Sequence, residues 1–128
     1  MPQRSRFLRA FTLIELLVVM SIVAVLLTIA VPRYFSGVEH SREVALRHNL
    51  NTLRDAIDKF HADTGVYPGS LEQLAEKRYL KAVPVDSITE SAQTWVVVPP
   101  PPPFKGNVFD VLSGAPGTAR DGSEYRRW

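Results

Sequence analysis

The strongest constraint in this sequence is an apolar run from Phe11 to Val31 in which Glu15 is the only charged residue. As an α-helix, these 21 residues would extend about 31 Å, enough to cross the hydrocarbon core of a bilayer. Three arginines precede the run, and only Arg33 follows it closely. Because basic residues concentrate on the cytoplasmic side, the run predicts a single-pass helix with residues 33–128 outside.

A conventional secretory signal is the main alternative to a retained membrane helix. A basic start precedes the apolar stretch, and Thr28-Ile29-Ala30 resembles a small-residue cleavage site. However, such signals usually have only about 7–15 apolar residues, and a carboxylate at the centre of a membrane helix costs about 2.5–3.5 kcal/mol. Both features favour retention over cleavage after Ala30.

The charge and cysteine content exclude several classes of function. The first ten residues hold three arginines and no acid, whereas the remaining chain holds 12 basic and 13 acidic residues. We therefore expect no basic groove and no nucleic-acid partner. The absence of cysteine removes disulfides, thiolate zinc sites and thiol nucleophiles. Since no nucleophile with an adjacent base, phosphate loop or acid pair is evident, we expect a structural protein and not an enzyme.

The residues around the start of the apolar run, RAFTLIELLVV at positions 9–19, resemble the N-terminal signature of type IV pilins and of the pseudopilins of type II secretion systems. The resemblance implies that a prepilin peptidase cuts between Ala10 and Phe11 on the cytoplasmic side and methylates the new amine of Phe11. The family usually has glycine where this chain has Ala10. Alanine is the next smallest residue, so we expect slower cleavage.

Cleavage would give Glu15 a partner. The new amine on Phe11 has an unperturbed pKa of about 7.7–8.0, and Glu15 follows four residues later, about 6 Å along the helix. The carboxylate could serve the amine of its own chain, the helix dipole, or the amine of a neighbouring subunit. The resemblance favours the neighbour, because pilin-like subunits bundle these helices in a filament. Thr12 either joins the same cluster or bonds a carbonyl of its own helix.

With the resemblance, we expect the chain to divide into a basic leader at residues 1–10, a membrane and filament-core helix at 11–31, and a periplasmic globular domain at 32–128. Pro32 should loosen the helix, but periodicity predicts that it continues to about Ala62. Glu43 and Arg47 are expected to form a solvated i,i+4 pair on its polar face. The apolar residues form one stripe that needs a cover: Val38, Leu46, Leu50, Leu53, Ile57 and Phe60.

Beyond this helix the sequence predicts a small α+β domain. Ser70 and Gln73 have the spacing of a capping box, which predicts a short helix over about Leu71 to Lys77. The prolines at 99–103 form a stiff spacer, with a proline-motif ligand as the alternative. Two β-branched runs and an aromatic tail are expected to form an antiparallel sheet of two or three strands: Thr94–Val98, Asn107–Leu112 and, as a third strand or edge, Tyr125–Trp128.

The middle of the chain also resembles a major, G-type pseudopilin, through a Gly-x-Tyr-Pro turn at residues 65–68 and a Tyr-Leu-x-x-x-Pro-x-Asp stretch at 79–86. The resemblance implies a calcium site in the C-terminal loop, where Asp121 matches one carboxylate and Leu112 or Ser113 could add carbonyls. Pro116 stands where the family often has another acid, so the site would be weak. The alternative is an Asp-Gly turn closed by side-chain hydrogen bonds. Apart from calcium, no cofactor is expected.

The resemblance implies a type IV pilin-like α+β fold and a role as structural subunit of the periplasmic pseudopilus of a type II secretion system. Its partners would be copies of itself, minor pseudopilins, the prepilin peptidase, the inner-membrane assembly platform and its ATPase. The protein would sit in the bacterial inner membrane, with its N-terminus cytoplasmic, before entering the filament. The alternatives are a type IV pilus pilin, used for adhesion, motility or DNA uptake, and an uncleaved single-pass envelope protein. Type IV pilins usually have a larger domain and a C-terminal disulfide.

Overall fold

The computed structural model describes residues 10–128, so the predicted basic leader lies, except for Ala10, outside the described residues. The chain forms two compact units, one ending at Gly37 and one spanning Val38–Trp128. Helix α1, Leu13–Thr64, supplies residues to both units. Pro32 lies inside this helix without ending it, as the periodicity predicts.

In the first unit, the apolar residues of α1 are exposed all around the helix. A helix that is apolar on every face requires apolar surroundings on every face. By length and composition, this segment could cross a membrane, and none of its most apolar stretch is buried within the chain. A signal sequence would satisfy the same length and composition criteria.

In the second unit, the predicted stripe on α1 forms the core. Leu46, Leu50, Leu53, Ile57 and Phe60 are all buried, and Ala56 joins them; Val38, at the start of the unit, is only half-buried. The stripe is covered by apolar side chains from the short helix, the sheet, the loops between them and the C-terminal segment: Leu71, Leu74, Leu80, Trp95, Val108, Val111, Ala115, Ala119 and Tyr125.

Helix α2, Leu71–Glu76, begins where the capping signal predicts. The Ser70 hydroxyl accepts a hydrogen bond from the Gln73 amide at 3.2 Å. In return, Gln73 Oε1 accepts from the Gly69 amide at 2.6 Å, one residue before the position used in a standard capping box. The helix ends one residue before the predicted limit, with Lys77 as its C-cap.

The sheet consists of two antiparallel strands, β1 (Trp95–Val98) and β2 (Asp110–Ser113), paired from Trp95 with Ser113 to Val98 with Asp110. The prediction of a strand at Asn107–Leu112 was wrong at both ends. The amides of Asn107 and Val108 donate to the Pro68 carbonyl at 3.1 and 3.0 Å, which holds them outside the ladder.

Of the two or three strands expected, the described residues form two, and the alternative of a third strand or edge at the C-terminus was wrong. Tyr125–Arg127 forms a 3₁₀ helix. The Trp128 amide donates to the Tyr125 carbonyl at 3.1 Å, and Arg54 donates to the carbonyls of Val111 in β2 and of Trp128 at 3.1 and 2.7 Å. A side chain of α1 therefore takes a β2 carbonyl that a third strand could have used.

A glycine allows the loop after the prolines to pack tightly. Gly106 has φ +120°, and a Cβ built on it would lie 2.3 Å from the Tyr67 carbonyl oxygen. The neighbouring carbonyl of Lys105 accepts from the Tyr67 amide at 2.9 Å. The loop and the Gly-x-Tyr-Pro turn therefore meet backbone to backbone.

We expect Gly106→Ala to lower the free energy of unfolding by about 3 kcal/mol, the upper end of ordinary single substitutions, because the added carbon would overlap the Tyr67 backbone. Gly65→Ala is the matched control, since Gly65 also has a positive φ, +78°, but open space around it. The control should lose only about 1–2 kcal/mol of backbone strain. Urea unfolding of the full chain in detergent measures both, and equal losses would contradict the packing argument.

Candidate functional site

The predicted processing site precedes the first turn of α1. Ala10 and Phe11 lie before the helix and are exposed, Phe11 to 80%. The Thr12 hydroxyl accepts a hydrogen bond from the Glu15 amide at 3.1 Å, and the Thr12 carbonyl accepts from the Leu16 amide at 3.1 Å. Thr12 is therefore the N-cap of the helix.

This capping geometry differs from both alternatives considered for Thr12, the polar cluster and a carbonyl of its own helix. The Thr-x-x-Glu spacing of Thr12 and Glu15 is the sequence signal of a capping box, and it was available in the sequence. The cap positions Glu15 in the first helical turn, where a negative charge is favoured by the helix dipole. A role for Thr12 in assembly stays a prediction.

The apolar segment contains four polar residues, and three of their side chains find hydrogen-bond partners in the backbone of their own helix. Thr12 caps the helix, Ser21 donates to the Leu17 carbonyl at 2.8 Å, and Thr28 donates to the Val25 carbonyl at 2.6 Å. All three hydroxyls thus bond to the backbone of their own helix. Within the described residues, Glu15 forms no ion pair.

A second group of polar contacts joins the C-terminal loop to α1. The predicted solvated pair between Glu43 and Arg47 was wrong, because Glu43 is only 9% exposed. Its Oε1 atom accepts hydrogen bonds from the Arg120 amide at 2.9 Å and from the Tyr125 hydroxyl at 3.1 Å. Burial and the adjacent carboxylate of Glu43 raise the pKa of Tyr125 above its usual value, so this hydroxyl remains a donor.

Arg47 instead contacts the loop. Its guanidinium lies 3.9 Å from the centre of the Trp128 ring and 3.5 Å from Asp121 Oδ2. The other oxygen, Oδ1, accepts from the Ser123 amide at 2.9 Å and from the Ser123 hydroxyl at 2.6 Å. The same hydroxyl accepts from Trp128 Nε1 at 2.7 Å. These contacts close the loop as an Asp-Gly turn, which was the alternative to a calcium site.

The three residues proposed for calcium have separate partners. Leu112 lies in β2 opposite Val96, and the Ser113 hydroxyl donates to Asp86 Oδ2 at 2.6 Å. As arranged, the set offers the single carboxylate of Asp121, which already faces a guanidinium, whereas calcium takes six to eight oxygens. Residues 10–128 contain no group of three or more His, Cys, Asp or Glu residues placed to hold a metal ion. Calcium binding stays a prediction, and the donor set does not favour it.

Asp86, which the Pro-x-Asp stretch contains, is a fully buried carboxylate. Its Oδ1 atom accepts from the amides of Ile88 and Thr89 at 2.8 and 3.3 Å, and its Oδ2 atom from Ser113. Three neutral donors satisfy the charge. This residue ties the segment before β1 to the end of β2, a structural role that the sequence pattern alone did not reveal.

Comparison with known proteins points to one end of the chain most clearly. Residues 8–31 match the family model of the prokaryotic N-terminal methylation motif. Type II secretion system core protein G of Pseudomonas aeruginosa is 29% identical over 92 residues, covering 59% of this chain and 65% of that protein, just under two thirds of its length. Fimbrial protein EcpC of Eikenella corrodens is 27% identical over 120 residues, covering 90% of this chain and 78% of that protein. No solved structure matches the chain.

The loop contacts predict an acid-dependent stability. Hydrogen bonds from the side chain and amide of Ser123, and then the charge of Arg47, lower the pKa of Asp121. A lowered pKa stabilises the fold above the unfolded value of about 3.9, and this contribution disappears as the pH falls through the folded pKa. We therefore expect Asp121→Asn to be less stable than the parent near pH 7, with the difference narrowing below about pH 3.9.

Melting temperature measured against pH, on the full chain in detergent, tests this expectation. Asp58→Asn is the matched control, because Asp58 is an exposed carboxylate on α1 and should change the curve little at any pH. A difference between Asp121→Asn and the parent that stayed constant from pH 7 to pH 3 would show that the Asp121 charge does not stabilise the loop.

Proposed function

We propose, from the premise that this chain belongs to the type IV pilin-like family, that it is a structural subunit of the periplasmic pseudopilus of a type II secretion system. The similarity to core protein G supports the secretion system. The absence of cysteine supports it as well, since the resemblance associates type IV pilins with a C-terminal disulfide. The subunit has no catalytic role in this proposal; the energy for assembly comes from an ATPase among its partners.

The chain enters the inner membrane with its N-terminus cytoplasmic and residues 33–128 periplasmic. Prepilin peptidase then removes residues 1–10 and methylates Phe11. The exposure of Ala10 and Phe11 before α1 supports this step, because a peptidase needs an accessible peptide bond outside regular helix. The charge on the new amine lies at the start of an apolar helix and requires a counter-charge.

Glu15 provides that counter-charge for the Phe11 amine of a neighbouring subunit. The observation that carries this assignment is that every other polar side chain of the apolar segment is satisfied by its own helix backbone, whereas Glu15 has no ion-pair partner within residues 10–128. In a filament core with little water, an unpaired carboxylate and an unpaired amine would each be costly. Pairing them between chains sets the axial register of the helices. The inner-membrane platform and minor pseudopilins are the remaining partners.

A type IV pilus subunit is the second candidate, and the similarity to a fimbrial protein over 90% of this chain favours it. Both candidates require the same processing and the same Glu15 contact. They differ in whether the filament remains in the periplasm or extends from the cell. Surface labelling of intact cells that express the chain distinguishes the two.

Mass spectrometry of the mature protein should find an N-terminus at Phe11 carrying one methyl group. Ala10→Gly, which restores the residue usual in the family, should raise the processed fraction during a pulse-chase. An intact Met1 or a start near Val31 would eliminate both filament functions and leave the uncleaved envelope protein or the cleaved secretory signal.

We expect Glu15→Ala and Glu15→Gln to insert and be processed normally but to assemble poorly. Leaving a buried charge without its partner costs about 3–5 kcal/mol, which corresponds to at least a 100-fold loss of filament. Ser21→Ala is the matched control, because within residues 10–128 the Ser21 hydroxyl bonds its own helix backbone, and it should assemble like the parent. Filament mass in sheared fractions is the measurement, and normal filaments from both Glu15 variants would refute the assignment.

A further inference from the structure

Two aromatic side chains directly follow the apolar segment and have no place in the core. Tyr34 and Phe35 are 68% and 60% exposed, and their ring centres lie 5.8 Å apart at an interplanar angle of 71°. Together with the apolar segment before them, the two rings form a contiguous exposed apolar surface, and such a surface marks an interaction site more often than a singly exposed ring does. Their exposure matches that of the apolar segment, in which Leu26 is exposed to the same degree as Phe35.

The position of the pair along α1 indicates what surrounds it. The helix from Leu13 to Val31 extends about 28 Å, close to the thickness of the hydrocarbon core. Tyr34 and Phe35 follow about 4–6 Å further along the same axis. That distance places them in the headgroup region, where aromatic side chains are enriched in membrane proteins.

The Tyr34 hydroxyl argues for lipid and against a second copy of the chain. Within residues 10–128 its ring contacts Phe35, and its hydroxyl has no hydrogen-bond partner. A dry helix–helix contact would bury this hydroxyl and require a donor or acceptor from the neighbour. The membrane boundary offers water and headgroup oxygens to the hydroxyl and acyl carbons to the ring.

We infer that Tyr34 and Phe35 form an interfacial anchor that binds the headgroup–acyl boundary of the outer face of the inner membrane and sets the depth of the helix. The inference rests on the membrane-inserted state in the proposed function. Arg33, immediately before the pair, favours water and pulls the helix outward. The two rings resist that movement, so the anchor holds Val31 inside the hydrocarbon.

The absence of cysteine makes a depth measurement direct. Single spin labels are attached at Met20→Cys, in mid-segment, or at Val31→Cys, near its end, and the unassembled full chain is reconstituted in phosphatidylcholine vesicles. Depth is read from the relative accessibility of the label to oxygen and to a water-soluble nickel complex. Each label is measured with the native pair, with Tyr34→Ala/Phe35→Ala and with Tyr34→Trp/Phe35→Trp.

We expect the alanine pair to move the Val31 label toward water by about 3 Å, two residues of helix rise, and the tryptophan pair to keep the native depth. Leu26→Ala/Leu27→Ala is the matched control, because it removes exposed apolar side chains from within the hydrocarbon segment. It should leave the Val31 depth unchanged. This pattern would support the anchor.

Three results would overturn the inference. The first is an unchanged Val31 depth in the alanine pair. The second is dipolar broadening between Val31 labels that rises with protein concentration and vanishes in the alanine pair, since the rings would then pack on a second copy. The third is a Met20 label exposed to water with the native pair, which would also remove the membrane span from the proposed function. The first two results leave that function intact.

Discussion

In the proposed function, assembly of this protein depends on one carboxylate in an apolar helix, that of Glu15. Glu15 lies in a segment in which the other polar side chains bond to their own backbone. It is the polar side chain of that segment that has no ion-pair partner within residues 10–128. An unpaired charge of this kind is destabilising in hydrocarbon, and an opposite charge beside it offsets that cost. In the proposed processing, the cut that creates the amine also creates the partner, which makes assembly conditional on cleavage.

In the second unit, by contrast, the buried carboxylates are satisfied by groups of the same unit. Glu43 is buried yet satisfied by an amide and a hydroxyl from the C-terminal loop, and Asp86 is satisfied by two amides and a hydroxyl. Because both carboxylates find neutral donors within the unit, neither needs another subunit. The contrast supports a division of roles in which the charges of the second unit maintain the fold and, in the proposed function, the charge in the apolar segment serves assembly.

Local patterns predicted the helices better than the sheet. The stripe from Leu46 to Phe60 and the cap at Ser70 depend on neighbours a few residues apart, so periodicity and spacing were sufficient. The prediction for the C-terminal segment failed because the conformation of this segment depends on Arg54, more than 70 residues away in sequence. No local pattern contains the hydrogen bonds from Arg54 to Val111 and Trp128. The prediction for Glu43 failed for the same reason. Its i,i+4 neighbour is Arg47, but its hydrogen-bond partner is Tyr125, which is far away in sequence.

Arg47 explains how the loop can be ordered by the chain's own residues. Its guanidinium contacts the Asp121 carboxylate and the face of Trp128, so one group supplies both the positive charge that a carboxylate-bearing turn attracts and an apolar surface for the indole. A bound cation could supply only the first. Because Arg47 is covalently part of α1, its contact with the loop does not depend on the concentration of a dissociable ligand. With an arginine in this position, one carboxylate is enough to order the loop. This agrees with the presence of Pro116 where the resemblance leads one to expect another acid.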